Sequence, residues 1–286
     1  MKYYWIFTVL LMMAAVGMSL DPRQVIARWA QLPRRYWIGG AVATFLLPPL
    51  FAMLVVVMIP LPREIRGGIL VMSIAPGAPM LTRMVSKKGV LFDPSLAAGY
   101  QIVVGLLTPI MTPALLYWIG QYYHRDVWVD PWTLAVQVAS MQFVPLVVGL
   151  MVKHRWPGFA TKAEPWLNRL GNLMVLAYLL VIVFGMRRVL LAVGPTSAAV
   201  AALLALACLA FGHWLAGPTI ALSNTNRHVG LAMLIAGLNF KGDVKLVVPF
   251  FAAYAVMAPL LMAGYALLLK KRGGAYGEGQ AERTVT

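Results

Sequence analysis

Six consecutive polar residues, 223–228, interrupt an apolar stretch of the chain and include the strongest candidates for chemistry. Among them, Arg227 keeps its positive charge at physiological pH and is expensive to bury in an apolar span unless it is compensated. No acidic residue falls inside an apolar stretch, so its partners must be helix-end carbonyls, water or a bound anion. An anionic solute would pair bidentately with the guanidinium. We therefore predict that Arg227 binds an anionic substrate, with a structural tie to freed carbonyls as the alternative.

The residues beside Arg227 extend this candidate site. His228 is either a proton carrier, since imidazole titrates near neutral pH, or a neutral hydrogen-bonding group, which the adjacent guanidinium favours. Four further side chains can satisfy the broken backbone or present acceptors to a solute: Ser223, Asn224, Thr225 and Asn226.

Two candidates lie in other segments. Arg83 is a second basic residue within an apolar stretch, although its side chain could instead extend to the membrane surface beside Lys87 and Lys88. Gln101 is an isolated polar residue in the segment predicted to cross the first interruption. Such a residue more often forms an interhelical hydrogen bond than a ligand contact.

Neither an enzyme nor an ion site built on carboxylates is expected. Ser73, Asn226 and His228 would lack an acidic group to orient the histidine, and no G-x-S-x-G motif is present. All acidic residues fall in loops, at helix ends or in the tail, which excludes a sodium or proton site on an intramembrane carboxylate. They are Asp21, Glu64, Asp93, Asp126, Asp130, Glu164, Asp243, Glu278 and Glu282.

The composition indicates a membrane protein. Of 286 residues, 61% are apolar and 12% are charged, against about 25% charged in an average soluble domain. This excludes a cytosolic enzyme, a disulfide-built secreted domain and a disordered protein. The net charge of +15 is spread through short loops, which favours contact with membrane lipid over nucleic acid. We predict an all-α polytopic membrane protein.

Nine segments are long and apolar enough for a transmembrane helix, which needs about 20 residues. They are 3–20, 36–59, 65–86, 94–122, 131–152, 165–186, 196–215, 219–240 and 244–269. The first is alternatively a cleaved signal peptide. With a cytoplasmic C-terminus, nine helices put the N-terminus outside. This orientation is favoured because it places the larger share of basic loop residues inside.

Two of the nine segments are interrupted in a similar way. Pro76 and Pro79 break the third segment, because proline removes an amide donor and clashes with the preceding turn. The polar run 223–228 breaks the eighth. Each break is followed by a long segment, and residues 108–116 recur in character at 258–266. Matched broken helices predict an inverted-repeat secondary transporter with a midplane site.

Five stretches resemble the bile acid:sodium symporter family, in order along nearly the whole chain. They are Val16-Gly17-Met18-Ser19-Leu20-Asp21, Ser73-Ile74-Ala75-Pro76-Gly77-Ala78, Lys88-Gly89, Thr108-Pro109-Ile110-Met111-Thr112-Pro113, and residues 223–232 ending in Gly230-Leu231-Ala232. The first resembles the family's G-M-x-L/T-x-P/D helix end, which favours a retained first helix. The second resembles the C-P-G-G start of the first broken helix, and the last resembles E-V-G-M-Q-N-S-G-L-A at the second.

The chain departs from the family's pattern at the cation site that the resemblance implies. Ser223 stands where the family has a sodium-ligating glutamate, Arg227 where it has a ligating glutamine, and His228 at the neighbouring asparagine. At the family's Ser-Asn pair after the first break only Thr82 is polar, and Thr82 joins the substrate candidates. Sodium coupling is therefore doubtful, and we hypothesise that Arg227 takes the cation's structural role permanently.

The vestigial cation-site positions are Ser223, Asn224, Asn226 and Arg227. No metal or other cofactor is expected. Coupling to Na⁺, or to H⁺ through His228, stays open.

By resemblance the chain is a single transporter domain with two broken helices that cross, a core and a panel. The ranges are 1–35 for the first panel helix and basic loop, 36–122 for the first core half, 131–189 for the panel helices, 196–269 for the second core half and 270–286 for a polar cytoplasmic tail. The resemblance implies alternating access for a small organic anion in a bacterial inner membrane. A permease for a metalloid or another small solute, and a non-transporting sensor, are the alternatives. The oligomeric state stays open.

Overall fold

The computed structural model describes residues 2–21, 34–77, 94–122, 131–185, 187–239 and 244–283, and within these ranges the regular elements are helices. In chain order they are α1 (Lys2–Ser19), α2 (Arg34–Ala41), a π-helical turn (Val42–Leu46), α3 (Leu47–Met58), α4 (Arg63–Ser73), α5 (Pro94–Tyr122), α6 (Pro131–Arg155), α7 (Pro157–Gly185), α8 (Arg187–Ala216), α9 (Pro218–Thr225), α10 (Val229–Asn239) and α11 (Val244–Arg283). The all-α prediction is confirmed for this part of the chain.

Five stretches within the described helices are long and apolar enough to cross a membrane. They are Tyr36–Met58, Val103–Gln121, Ala135–Arg155, Gly194–Ala216 and Val247–Lys271. Helix α1 contains a shorter apolar stretch, Ile6–Ser19. These helices support a polytopic membrane protein, whereas the count of nine spans stays a prediction.

Several helix boundaries differ from the predicted segments. Helix α7 begins at Pro157, because a proline is favoured at the first helical position. The predicted start near Pro165 lies inside this helix. Helix α8 already begins at Arg187 and is interrupted at Gly194, whose φ of +59° favours glycine. Helix α11 continues to Arg283, well beyond the predicted end of the last span.

Helix α1 packs closely on α6 and α7. A Cβ on Gly17 would clash with the carbonyl oxygen of Leu146, and a Cβ on Gly149 would clash with backbone atoms of α1 in turn. Small residues of this kind let membrane helices approach each other closely. The hydroxyl of Tyr4 donates to the carbonyl of Met174 on α7. The three helices that the resemblance assigns to the panel therefore contact one another.

The largest buried cluster is built from α3, α4, α5, α8, α10 and α11. A Cβ on Gly68 of α4 would lie 2.7 Å from the side chain of Phe250 on α11, so these two helices also pack closely. This packing brings the C-terminal end of α4 beside the gap between α9 and α10. The candidate site lies at that junction.

Candidate functional site

The first interruption ends α4 at Ser73. Pro76 cannot donate a backbone hydrogen bond that would continue the helix, and Gly77 adopts a φ of +63°, which favours glycine. A Cβ on Gly77 would lie 2.8 Å from Cγ1 of Val104, so α5 passes directly beside this turn. The prediction of a break at Pro76 is confirmed, and residues 78–93 lie outside the described ranges.

Three successive carbonyls at the end of α4 would be left without helical partners, and each accepts a hydrogen bond from another part of the chain. Ser73 O accepts from Nη1 of Arg227 at 2.7 Å, Ile74 O from Oγ1 of Thr112 at 2.8 Å, and Ala75 O from the backbone N–H of His228 at 3.0 Å. Buried carbonyls are costly when they are unpaired. The three carbonyls at the first interruption are therefore paired by donors from the second interruption and from α5.

The second interruption is shorter than the polar run that predicted it. Ser223, Asn224 and Thr225 lie in α9, and only Asn226–His228 are non-helical. The predicted break is therefore present and occupies the last three residues of the polar run. The hydroxyl of Thr225 donates to the Ala221 carbonyl at 2.8 Å, so this polar side chain is satisfied inside the helix and needs no unwound backbone.

A third irregularity, the π-helical turn Val42–Leu46, was missed from the sequence. Pro48 and Pro49 occupy the positions four and five residues after Thr44, and neither has an N–H to offer to the Thr44 carbonyl. That carbonyl accepts from Nη2 of Arg227 at 3.0 Å. The proline pair was the available signal, because prolines at these two positions free a carbonyl in either helix type.

Tyr100 on α5 anchors this turn. Its hydroxyl donates to the carbonyl of Gly40 at 2.6 Å and also bonds the hydroxyl of Thr44. A Cβ on Gly40 would lie 2.7 Å from the Tyr100 ring, so the close approach requires glycine. Helix α5 thus contacts both the π-helical turn and the end of α4.

Arg227 lies where the two interruptions and the π-helical turn meet, and its side chain is only 2% exposed. Besides Ser73 and Thr44, its guanidinium donates from Nη2 to Oδ1 of Asn224 at 2.8 Å. These three acceptors are neutral oxygen atoms, so the bonds satisfy donors without neutralising the charge. Nε is buried and has no partner among the described residues. The structural tie to freed carbonyls is therefore observed, and the Nε–H group is left to bind a ligand.

His228 is 5% exposed and caps α10 with its side chain. Nδ1 accepts the backbone N–H of Leu231 at 3.1 Å, so the neutral ring carries its proton on Nε2. Nε2 is buried and unpaired within the described part of the chain. Protonation of Nδ1 would break the cap, which favours the neutral hydrogen-bonding role over the proton carrier.

The remaining predicted site residues are only partly brought together. Nδ2 of Asn224 donates to the Cys208 carbonyl on α8 at 2.7 Å, and Ser223 is buried in α9. Nδ2 of Asn226 is buried and finds no partner in the described ranges. Thr82 and Arg83 lie outside the described residues, and the side chain of Gln101 on α5 is also outside the description.

Two further residues of the junction were not predicted. Thr112 donates its hydroxyl to the Ile74 carbonyl, whereas Thr108, one turn earlier, donates to the Val104 carbonyl of its own helix. Tyr254 on α11 donates to the Thr225 carbonyl at 2.8 Å. No sequence signal distinguished the two threonines, since the choice depends on how α5 is rotated against the break.

The positive charge of Arg227 occupies the centre of the oxygen atoms described at this junction. Ser73 O, Thr44 O and Oδ1 of Asn224 each accept a hydrogen bond from the guanidinium. A second positive charge about 4 Å away would be repelled by about 4 kcal/mol at an effective dielectric constant of about 20. Among the described residues, no group of three or more His, Cys, Asp or Glu side chains is placed to hold a metal ion.

Comparison with known proteins finds a match to a transporter family. Residues 6–194 match the family model described as the Sodium Bile acid symporter family. Over 196 residues the chain is 26% identical to YocS of Bacillus subtilis (strain 168), described as an uncharacterized sodium-dependent transporter. This similarity covers 68% of the chain and 58% of the length of that relative. The family match ends before α9, so the second interruption lies beyond it.

Proposed function

Because the chain belongs to the Sodium Bile acid symporter family, we propose that it is a secondary transporter that moves an organic anion across a membrane by alternating access. The family is one of transporters rather than of enzymes. One observation supports an anionic solute above the others. Three successive residues present buried, unpaired donors within the described part of the chain: Nδ2 of Asn226, Nε of Arg227 and Nε2 of His228.

These donors are complementary to a carboxylate or another acceptor-rich anion. Leaving a buried donor unpaired costs about 1–3 kcal/mol, so a cluster of them is typical of a site that a ligand or ordered water completes. A carboxylate accepts several hydrogen bonds, and the buried positive charge of Arg227 would strengthen them. A neutral solute would gain less, because it has no negative charge to pair with the guanidinium of Arg227.

The mechanism follows from the way the interruptions are linked. Residues 36–122 form one half of the core, and residues 196–269 form an inverted second half, each with a long helix that carries two internal prolines. The core would move as a unit against α1, α6 and α7. A solute bound at the junction would then face the outside and the cytoplasm in turn. We place the protein in a bacterial inner membrane with its C-terminus in the cytoplasm.

The test is ligand-induced thermal stabilisation of the detergent-purified protein with a panel of organic carboxylates. A ligand that binds the folded state raises its stability by mass action, so at least one carboxylate should raise the unfolding temperature. Asn226→Ala should fold and lose most of that rise, because it removes only an unpaired donor. Asn172→Ala is the matched control, since its amide on α7 also has an unpaired buried atom within the described ranges.

The alternatives give different results. A rise with neutral solutes alone would overturn the organic-anion proposal in favour of a permease for metalloid acids or other small solutes. Binding without flux in liposomes would overturn transport in favour of a sensor.

A further inference from the structure

Two irregular backbone segments and one helix present oxygen atoms to one charged group. Ser73 O comes from the end of α4, Thr44 O from the π-helical turn, and Oδ1 of Asn224 from α9, beside the second interruption. Carbonyls freed at unwound helices and half-helix ends are the groups that coordinate coupling cations in secondary transporters. Here the same kind of oxygen set surrounds the guanidinium of Arg227.

We infer that Arg227 is a tethered cation that holds the junction together in place of a dissociable sodium ion. The inference rests on the proposed function, since it concerns how that transporter is coupled. The guanidinium cannot lose its charge and cannot leave, because it is covalently part of the chain. Transport therefore proceeds without sodium, although the similarity to a sodium-dependent relative would suggest otherwise.

The acceptor chemistry supports this role beyond ordinary packing. A buried arginine with a purely structural role is commonly paired with a carboxylate in a salt bridge. In this protein the three acceptors are neutral, as they are for an ion held by carbonyl oxygens. Two of them are backbone carbonyls without helical donors: Thr44 because Pro48 and Pro49 have no N–H, and Ser73 because the helix ends there.

A tethered cation makes a specific prediction for its removal. Arg227→Ala would leave an oxygen-lined cavity without its positive charge, and a small cation should then restore what the side chain supplied. If the side chain acted only by filling space, a small ion would not restore the stability that is lost when it is removed. Rescue by a cation therefore separates the two roles.

The experiment measures thermal unfolding of the purified full chain without any organic solute, in sodium, choline or low guanidinium chloride at equal ionic strength. The wild-type unfolding temperature should be the same in sodium and choline. Arg227→Ala should unfold at lower temperature and regain several degrees in guanidinium or sodium, but not in choline. Arg169→Ala is the control, because that exposed arginine on α7 lies over the ring of Trp166; it should respond to none of the cations.

Two results would overturn the inference. One is stabilisation of the wild type by sodium over choline. The other is a folded Arg227→Ala that no cation stabilises. If Arg227→Ala does not fold, Arg227→Lys retains a tethered charge and should be indifferent to sodium, so a sodium-specific rise in that variant contradicts the inference. Because no solute is present, these results do not depend on whether an organic anion is transported.

Discussion

Nη1 of Arg227 donates a 2.7 Å hydrogen bond to the carbonyl oxygen of Ser73, across 154 residues of sequence. The bond joins the interruption after α9 to the interruption after α4. The backbone N–H of His228 adds a second link, to Ala75 at 3.0 Å. Backbone groups freed at one broken segment are therefore paired by groups of the other. A substitution in one segment should alter the structure of the other.

Thr112→Val should destabilise the protein. The substitution keeps the shape of the side chain but leaves the buried Ile74 carbonyl without its 2.8 Å partner, at a cost of about 1–3 kcal/mol. Thermal unfolding measures the loss. Thr108→Val, one turn earlier on α5, is the control: its hydroxyl bonds the Val104 carbonyl of its own helix, which keeps its helical partner. Equal losses in the two variants would contradict the role of Thr112.

Pro48→Ala should reduce transport without lowering the unfolding temperature. The alanine N–H is placed four residues after Thr44 and would compete with Nη2 of Arg227 for the Thr44 carbonyl. Initial rates of anion uptake in liposomes should fall several-fold. Pro157→Ala should change neither property, because an N–H at the first position of a helix has no intrahelical partner. Unchanged transport in Pro48→Ala would show that the π-helical turn has no part in the cycle.

Gly17→Ala should disrupt the packing of α1 on α6. The added methyl group would clash with the Leu146 carbonyl and come within 3.0 Å of the Gly149 Cα, so the helices must separate. A lower unfolding temperature is expected. Gly105→Ala on α5 is the control: its Cβ meets no described atom within 4 Å, and alanine favours a helix over glycine by about 1 kcal/mol. Equal unfolding temperatures for the two variants would contradict the close packing of α1 on α6.

Much of the helical framework could be predicted from the sequence because long apolar stretches end at polar or proline-containing segments. Helix α5 has the bounds that were predicted, Pro94–Tyr122, and both interruptions lie in the expected segments. The family resemblance agrees with the match over residues 6–194.

The details of the site could be predicted less well because they depend on tertiary contacts. The polar run predicted a break in the eighth segment but not that the break is confined to its last three residues, since Thr225 lies within α9 and its hydroxyl is satisfied there. The π-helical turn follows from a proline pair that also suits the start of an ordinary helix. The sequence singles out Arg227 as a permanent charge in an apolar stretch. Its acceptors on α4 and in the π-helical turn follow only from the fold.

Uptake of a labelled organic carboxylate by liposomes that contain the purified protein tests the central claim most directly. The carboxylate is the one that stabilises the protein best, and the external salt is either sodium or potassium. We predict uptake well above that of protein-free liposomes, at the same initial rate in both salts. Uptake that requires an inward sodium gradient would contradict the account, as would the absence of any protein-dependent flux.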